Sequence, residues 1–193
     1  MGPVDICNMA LGWLGAQFIR ALNAEAPAST QEELCARLYP EAVRSTLEAK
    51  AWTFATERLS LAPAEATGLT EFPSKYLLPA TVVRVLSCDD GGGANEVEWR
   101  REGGHVLTES SPTTLGAKVV LLVEDVAKFS PGFVRAVAAR LAADLALPLT
   151  ENARLEQAME VRYVRELAEA ARLDGQQGTA ERTRSSALAA RRW

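Results

Sequence analysis

One histidine, three cysteines and no apolar run of membrane-spanning length leave this 193-residue sequence poor in the usual carriers of chemistry. A zinc site takes four nitrogen or sulfur ligands at characteristic spacings. Here His105 stands alone, and Cys7, Cys35 and Cys88 are widely separated with no CxxC pair. An odd, scattered set of cysteines is no disulfide framework either, which points to a reducing cytoplasm. A spanning helix would need about 18 or more consecutive apolar residues. None is present, and no charged segment precedes an apolar stretch at the N-terminus, so neither a membrane span nor a standard export signal is expected. Aromatic residues make up only 6% of the chain, yet Trp52 and Phe54 fall within three residues of each other.

What is present is an ordinary globular composition, 48% hydrophobic and 24% charged. A chain of this size hides roughly 70% of its unfolded surface, enough for a core without metal or disulfides. The net charge of −4 argues against general nucleic-acid binding, but the charge is unevenly placed. From Gln176 to Trp193 four arginines (Arg182, Arg184, Arg191, Arg192) face one carboxylate, Glu181, so the preceding residues are more acidic than the whole. Such asymmetry belongs to interaction rather than to folding. The tail lacks periodicity and is expected to be disordered in isolation. Its arginines could bind phosphates, but four would give weak, salt-sensitive binding opposed by an acidic body. An arm folding onto a protein partner, with Leu188 and Trp193 as apolar anchors, fits better, since Trp and Arg dominate interface hot spots.

Along the chain, Ile6, Met9, Ala10, Trp13 and Leu14 recur at helical spacing and predict a helix from Val4 to about Ile19, with Pro3 in its first turn and Gly12 and Gly15 permitting close packing or marking its end. Ser29-x-x-Glu32 and Thr30-x-x-Glu33 are alternative capping boxes for a second helix running toward Lys50, kinked at Pro40. From there to about Glu124 the chain reads as short strands and loops. Thr81–Leu86 is a β-branched strand, and Val97–Arg101 with His105–Glu109 form a hairpin around Gly103-Gly104. Lys118–Val123 is a continuous apolar strand, placed at the centre of its sheet. Ser130-Pro131 opens a third helix, rich in alanine, that should stop near Pro148. Thr150 or Asn152 caps a fourth, ended by Gly175, with Leu155, Met159, Arg162, Tyr163 and Glu166 along one stripe. The predicted class is α+β: an antiparallel bundle of about four helices (residues 1–52 and 129–175), an inserted antiparallel β domain (53–128) and an extended C-terminal arm (176–193).

No catalytic set emerges. A nucleophile needs a base held beside it, and His105, just after a hairpin turn, is expected to be solvated or paired across strands. The carboxylate pairs Asp89–Asp90 and Glu124–Asp125 read as solvated surface. Gly91-Gly92-Gly93 lacks the lysine and following helix of a phosphate loop and reads as a turn or a flexible tip. No catalytic, cofactor-binding or metal-ligating residue is therefore assigned.

Three stretches, Asp5–Gly15 (DICNMALGWLG), Ala36–Pro40 (ARLYP) and Ala51–Ala55 (AWTFA), together resemble the phage tail tubular protein A family, the head-to-tail adaptors of short-tailed phages. The apolar strand, the helix from Pro131 and the long charged helix are also similar, so the likeness covers most of residues 4–175. The resemblance implies a non-enzymatic virion protein of the neck, made in the host cytoplasm. It implies a homo-oligomeric ring, a dodecamer, beneath the portal protein and above the tail nozzle protein, lining a channel through which DNA passes without specific binding. No cofactor or membrane is implied. Under this reading Trp52 and Phe54 set the angle between bundle and sheet, and Arg182, Arg184, Leu188, Arg191, Arg192 and Trp193 dock the arm on the portal. Two alternatives are a connector of a long-tailed phage or phage-like particle and, from another class, a virion-associated carbohydrate-active enzyme.

Overall fold

A computed structural model describes residues 1–68, 71–93 and 95–177. It is an α+β fold with four helices, α1 (Pro3–Leu14), α2 (Thr30–Ala49), α3 (Pro131–Thr150) and α4 (Ala153–Asp174). Seven strands, β1 (Thr56–Leu61), β2 (Pro63–Ala66), β3 (Ser74–Leu77), β4 (Val82–Asp89), β5 (Trp99–Glu102), β6 (His105–Thr108) and β7 (Leu115–Leu121), lie between α2 and α3 in the chain. They form two antiparallel sheets, one ordered β1-β7-β4 and the other β2-β3-β6-β5.

Local chemistry explains the helix ends. α1 stops at Leu14, short of the expected Ile19, because Gly15 takes a left-handed φ of 67° and the Ala16 N–H returns to the Leu11 carbonyl. That geometry suits glycine, which has no Cβ to clash. Of the two candidate caps for α2, Ser29 is used, accepting from the Glu32 N–H. The Glu32 carboxylate, only 5% exposed, accepts instead from the N–H groups of Asn23 and Ala28 and so ties down the preceding loop. α2 passes through Pro40 without a break. α3 likewise runs two residues past Pro148 to Thr150, and Glu151 after it, with a φ of 52°, reverses the chain. Asn152, not Thr150, then caps α4, accepting from the N–H groups of Arg154 and Leu155.

The middle of α3, from Ala136 to Ala146, is largely buried, and α1, α2 and α4 pack against the helix. Its alanines allow this closeness, and at Gly132 an added Cβ would stand 3.0 Å from the Ala170 Cβ of α4. β7 is central in its sheet, as expected, but begins at Leu115 rather than Lys118. Its Leu115, Ala117 and Val119 join a core shared by the two sheets, while Val120 joins the helical core. Successive strand residues point to opposite faces, so a strand covered on both faces reads as an unbroken apolar run. The β5–β6 hairpin closes through Gly103 and Gly104, both at positive φ (51° and 79°), as a two-residue turn of the primed kind demands. Arg101 of β5 donates to the carbonyls of Val82 (3.1 Å) and Val83 (2.7 Å), joining the second sheet to an edge strand of the first.

Candidate assembly site

The chain crosses between helices and sheets twice, and both crossings meet in one aromatic cluster. On the way out, α2 ends with carbonyls that have no helical partner. The Trp52 indole N–H takes one of them, donating to the Thr46 carbonyl at 2.8 Å. The Trp52 ring is fully buried and meets Phe133 edge-on, with centroids 4.9 Å apart. Phe54 also meets Phe133 edge-on at 5.0 Å and lies 5.8 Å from Phe129. On the way back, Phe129 precedes the Ser130 cap of α3 and folds onto Phe133 at 4.7 Å. Edge-to-face contacts of this kind add about 0.5–1.5 kcal/mol each beyond the area they bury.

A second tie holds the end of α4 to the same point. Asp174, the last residue of α4 and 5% exposed, accepts from the Thr53 N–H at 2.9 Å and from the Thr53 hydroxyl at 2.8 Å. A carboxylate at a helix C-terminus faces the negative end of the macrodipole. Here that cost is offset, because the same carboxylate sits at the N-terminus of the short 3-10 turn Thr53–Ala55. The turn Gly175–Gln177 follows, and the Gln177 side chain lies 3.3 Å from the Thr53 hydroxyl.

Further along α4, Glu166 gathers three arginines. Arg135 of α3 binds it with two hydrogen bonds of 2.9 Å, and Arg165 and Arg162 approach to 3.6 and 3.9 Å. The Arg135 hydrogen bonds, with the arginine charges, hold the Glu166 carboxyl below its ordinary value despite burial. Arg162 also lies 3.7 Å over the ring of Trp13, so α1, α3 and α4 are joined at one spot. Asp144 behaves oppositely: burial pushes it up, against the pull of Arg140.

Of the residues singled out from sequence, Trp52 and Phe54 are thus brought together with Phe129 and Phe133. Arg182, Arg184, Leu188, Arg191, Arg192 and Trp193 lie outside the described residues. His105 is half-buried, sits opposite Glu102 in the hairpin and has its Nδ1 2.9 Å from the Gly103 carbonyl. Asp89 and Asp90 organise their glycine turn, accepting from the N–H groups of Gly91, Gly92 and Gly93. Gly116 is required opposite, since a Cβ there would overlap the Asp89 carboxylate. Asp125 caps a 3-10 turn through the Ala127 N–H. Of the neighbouring buried pair Cys7 and Cys35, the interaction with Cys35, with burial, pushes the Cys7 thiol up while the same interaction holds Cys35 down, and burial raises Cys88 to about 12. Raised in this way, Cys7 and Cys88 carry little of the thiolate that nucleophilic or metal chemistry needs. Among the described residues no group of three His, Cys, Asp or Glu side chains could hold a metal, and no helix is long and apolar enough to cross a membrane.

Sequence reading missed Asp174 and the Arg135–Glu166 clasp. The first had a faint signal, an aspartate in a last helical turn where the dipole disfavours it; the second had none. Comparison with protein-family models finds no match, and comparison with curated proteins finds no similar protein.

Proposed function

We propose that this chain is a structural assembly protein, a head-to-tail adaptor of the tail tubular protein A kind that joins a portal to a tail nozzle and lines the DNA channel. In this reading the helices form a bundle, residues 53–128 are an inserted β domain, and the C-terminal arm clasps the portal while neighbouring copies complete a ring. The observation that carries the reading is the Thr53–Asp174 lock beside the Trp52–Phe54–Phe129–Phe133 cluster. It fixes the root of the basic segment at the point where helices meet sheet, so that a pull on the arm is borne by both. A connector transmits load between two larger bodies, and that is the mechanical arrangement it needs. The acidic body repels DNA and lets it slide, while the basic arm engages protein.

Electron microscopy of the purified protein, alone and mixed with its cognate portal, tests this. Rings on portal particles are expected; a strict monomer that ignores the portal would sink the adaptor assignment.

A further inference from the structure

We propose that copies of this chain associate head to tail, the outward face of α4 on one copy seating on the pocket between α1, α2 and the segment after β7 on the next. On α4, Arg154, Ala158, Val161, Arg165, Ala168 and Arg172 recur at alternating steps of four and three residues. They form one stripe along the helix, and all six are exposed. Val161 and, beside the stripe, Val164 are 67% and 65% exposed. A β-branched residue is a weak helix former, and neither valine joins a core. Folding of the single chain gives no reason for valine at these two positions, whereas burial against a partner does.

The pocket has the matching chemistry. Its volume is about 370 Å³, with apolar walls from Pro3, Tyr39, Pro40 and Leu122. Glu41 and Glu124 border it, both exposed and neither with an ion-pair partner among the described residues. The one basic group in the wall, Arg44, is turned to Glu48 at 3.8 Å. On the stripe the sign is reversed. Arg154 has no ion-pair partner among the described residues. The Arg165 side chain is 73% exposed and 3.6 Å from Glu166, which Arg135 already holds with two hydrogen bonds. Arg172 is taken by Glu169 at 2.8 Å. About 16 Å of helix separates Arg154 from Arg165, with both valines between them. The contact therefore sets Val161 and Val164 against the apolar walls and the two arginines beside Glu41 and Glu124.

The charges also select the mode of pairing. Two α4 stripes face to face would bring arginines against arginines, and two pockets would bring carboxylates against carboxylates, so neither surface suits a copy of itself. Only the unlike pair is complementary. A contact between two different faces leaves one of each kind free on every pair of copies, and it closes as a ring or runs on as a filament according to the rotation between neighbours. This pairing deepens the adaptor reading, and it rests on that reading for closure into a ring.

Sedimentation of the full chain at rising concentration in low salt tests the contact. Association that weakens as salt is raised is expected, and a chain that stays monomeric at its highest soluble concentration overturns the proposal. Two charge-altered surface variants, Arg154→Glu/Val161→Glu on the stripe and Glu41→Lys/Glu124→Lys at the pocket, are checked for folding by circular dichroism. Each alone should associate about tenfold more weakly than the parent. Mixed in equal amounts they should associate again, since every face then meets one of opposite charge. Loss in only one of the two variants would indicate a surface pairing with itself and overturn the proposal, as would unchanged association in both or a mixture that stays apart. Rings formed on portal particles equally well by either variant would overturn the contact and leave the adaptor reading standing. Head-to-tail association by a chain that ignores the portal would do the reverse.

Discussion

At Trp52 one side chain does three jobs: it fills core volume, takes an orphan carbonyl of α2 and gives Phe133 a face to pack against. Truncation should therefore be costly. Trp52→Ala is expected to lose about 3–5 kcal/mol, the range for large aromatic truncations in cores, read by denaturant unfolding; a loss below about 1 kcal/mol would contradict its place at the centre of the cluster. Asp174 works through hydrogen bonds instead. Asp174→Ala removes both acceptors from Thr53 and should cost about 1–3 kcal/mol, the penalty for stranding a buried donor. Hydrogen exchange at the Thr53 amide should speed up in that variant, whereas unchanged protection would show the bond to be incidental. The apolar character of Trp52 and its neighbours is plain in the sequence. Asp174 is not, because nothing within several residues of it reveals a partner 121 positions away.

Elements differ in how much of their placement is local. Helix starts were written in Ser29, Ser130 and Asn152, and the hairpin in Gly103-Gly104, because a cap or a turn is settled within four residues. The α3–α4 pairing is a different matter, resting on Gly132 against Ala170 and on Arg135 with Glu166. Its pH dependence follows from the direction of the Glu166 shift. Because the folded-state carboxyl is held below its ordinary value near 4.5, its stabilising contribution is fully present above that pH and is lost as pH falls through the lowered value. Asp144, raised in the folded state, acts in the opposite sense: folding favours its protonated form, so that group alone adds stability as pH falls. Comparing thermal unfolding of the parent and Glu166→Gln isolates the first effect. The variant should be less stable by about 1–2 kcal/mol at neutral pH, with the gap narrowing below pH 4.5; a gap independent of pH would mean that Glu166 acts by packing alone.

For the molecule as a whole, the question is whether the C-terminal segment belongs to the body or to a partner. Both apolar cores are built from residues 6–170, so deleting Gln176–Trp193 is expected to leave unfolding of the body cooperative and, under the proposed adaptor role, to abolish attachment to a portal. Undiminished attachment would refute the arm's role. The sequence by itself determined the α+β class, the order of the four helices, the strands β4 to β7, most helix caps and the central position of β7, since each rests on periodicity or on capping chemistry within one element, whereas β2 (Pro63–Ala66) and β3 (Ser74–Leu77) lie in a proline-punctuated stretch whose pattern reads as loop. It also marked the tail as compositionally distinct. Only the tertiary structure decided that Phe129 and Phe133 meet Trp52 and Phe54, that Glu32 turns back onto its loop, that Asp174 locks to Thr53, and that α2, α1 and the end of β7 leave a pocket between them. Such contacts join elements distant in the chain, and their partners are chosen by which surfaces can be buried together. A sequence lists those surfaces, and the packed fold pairs them.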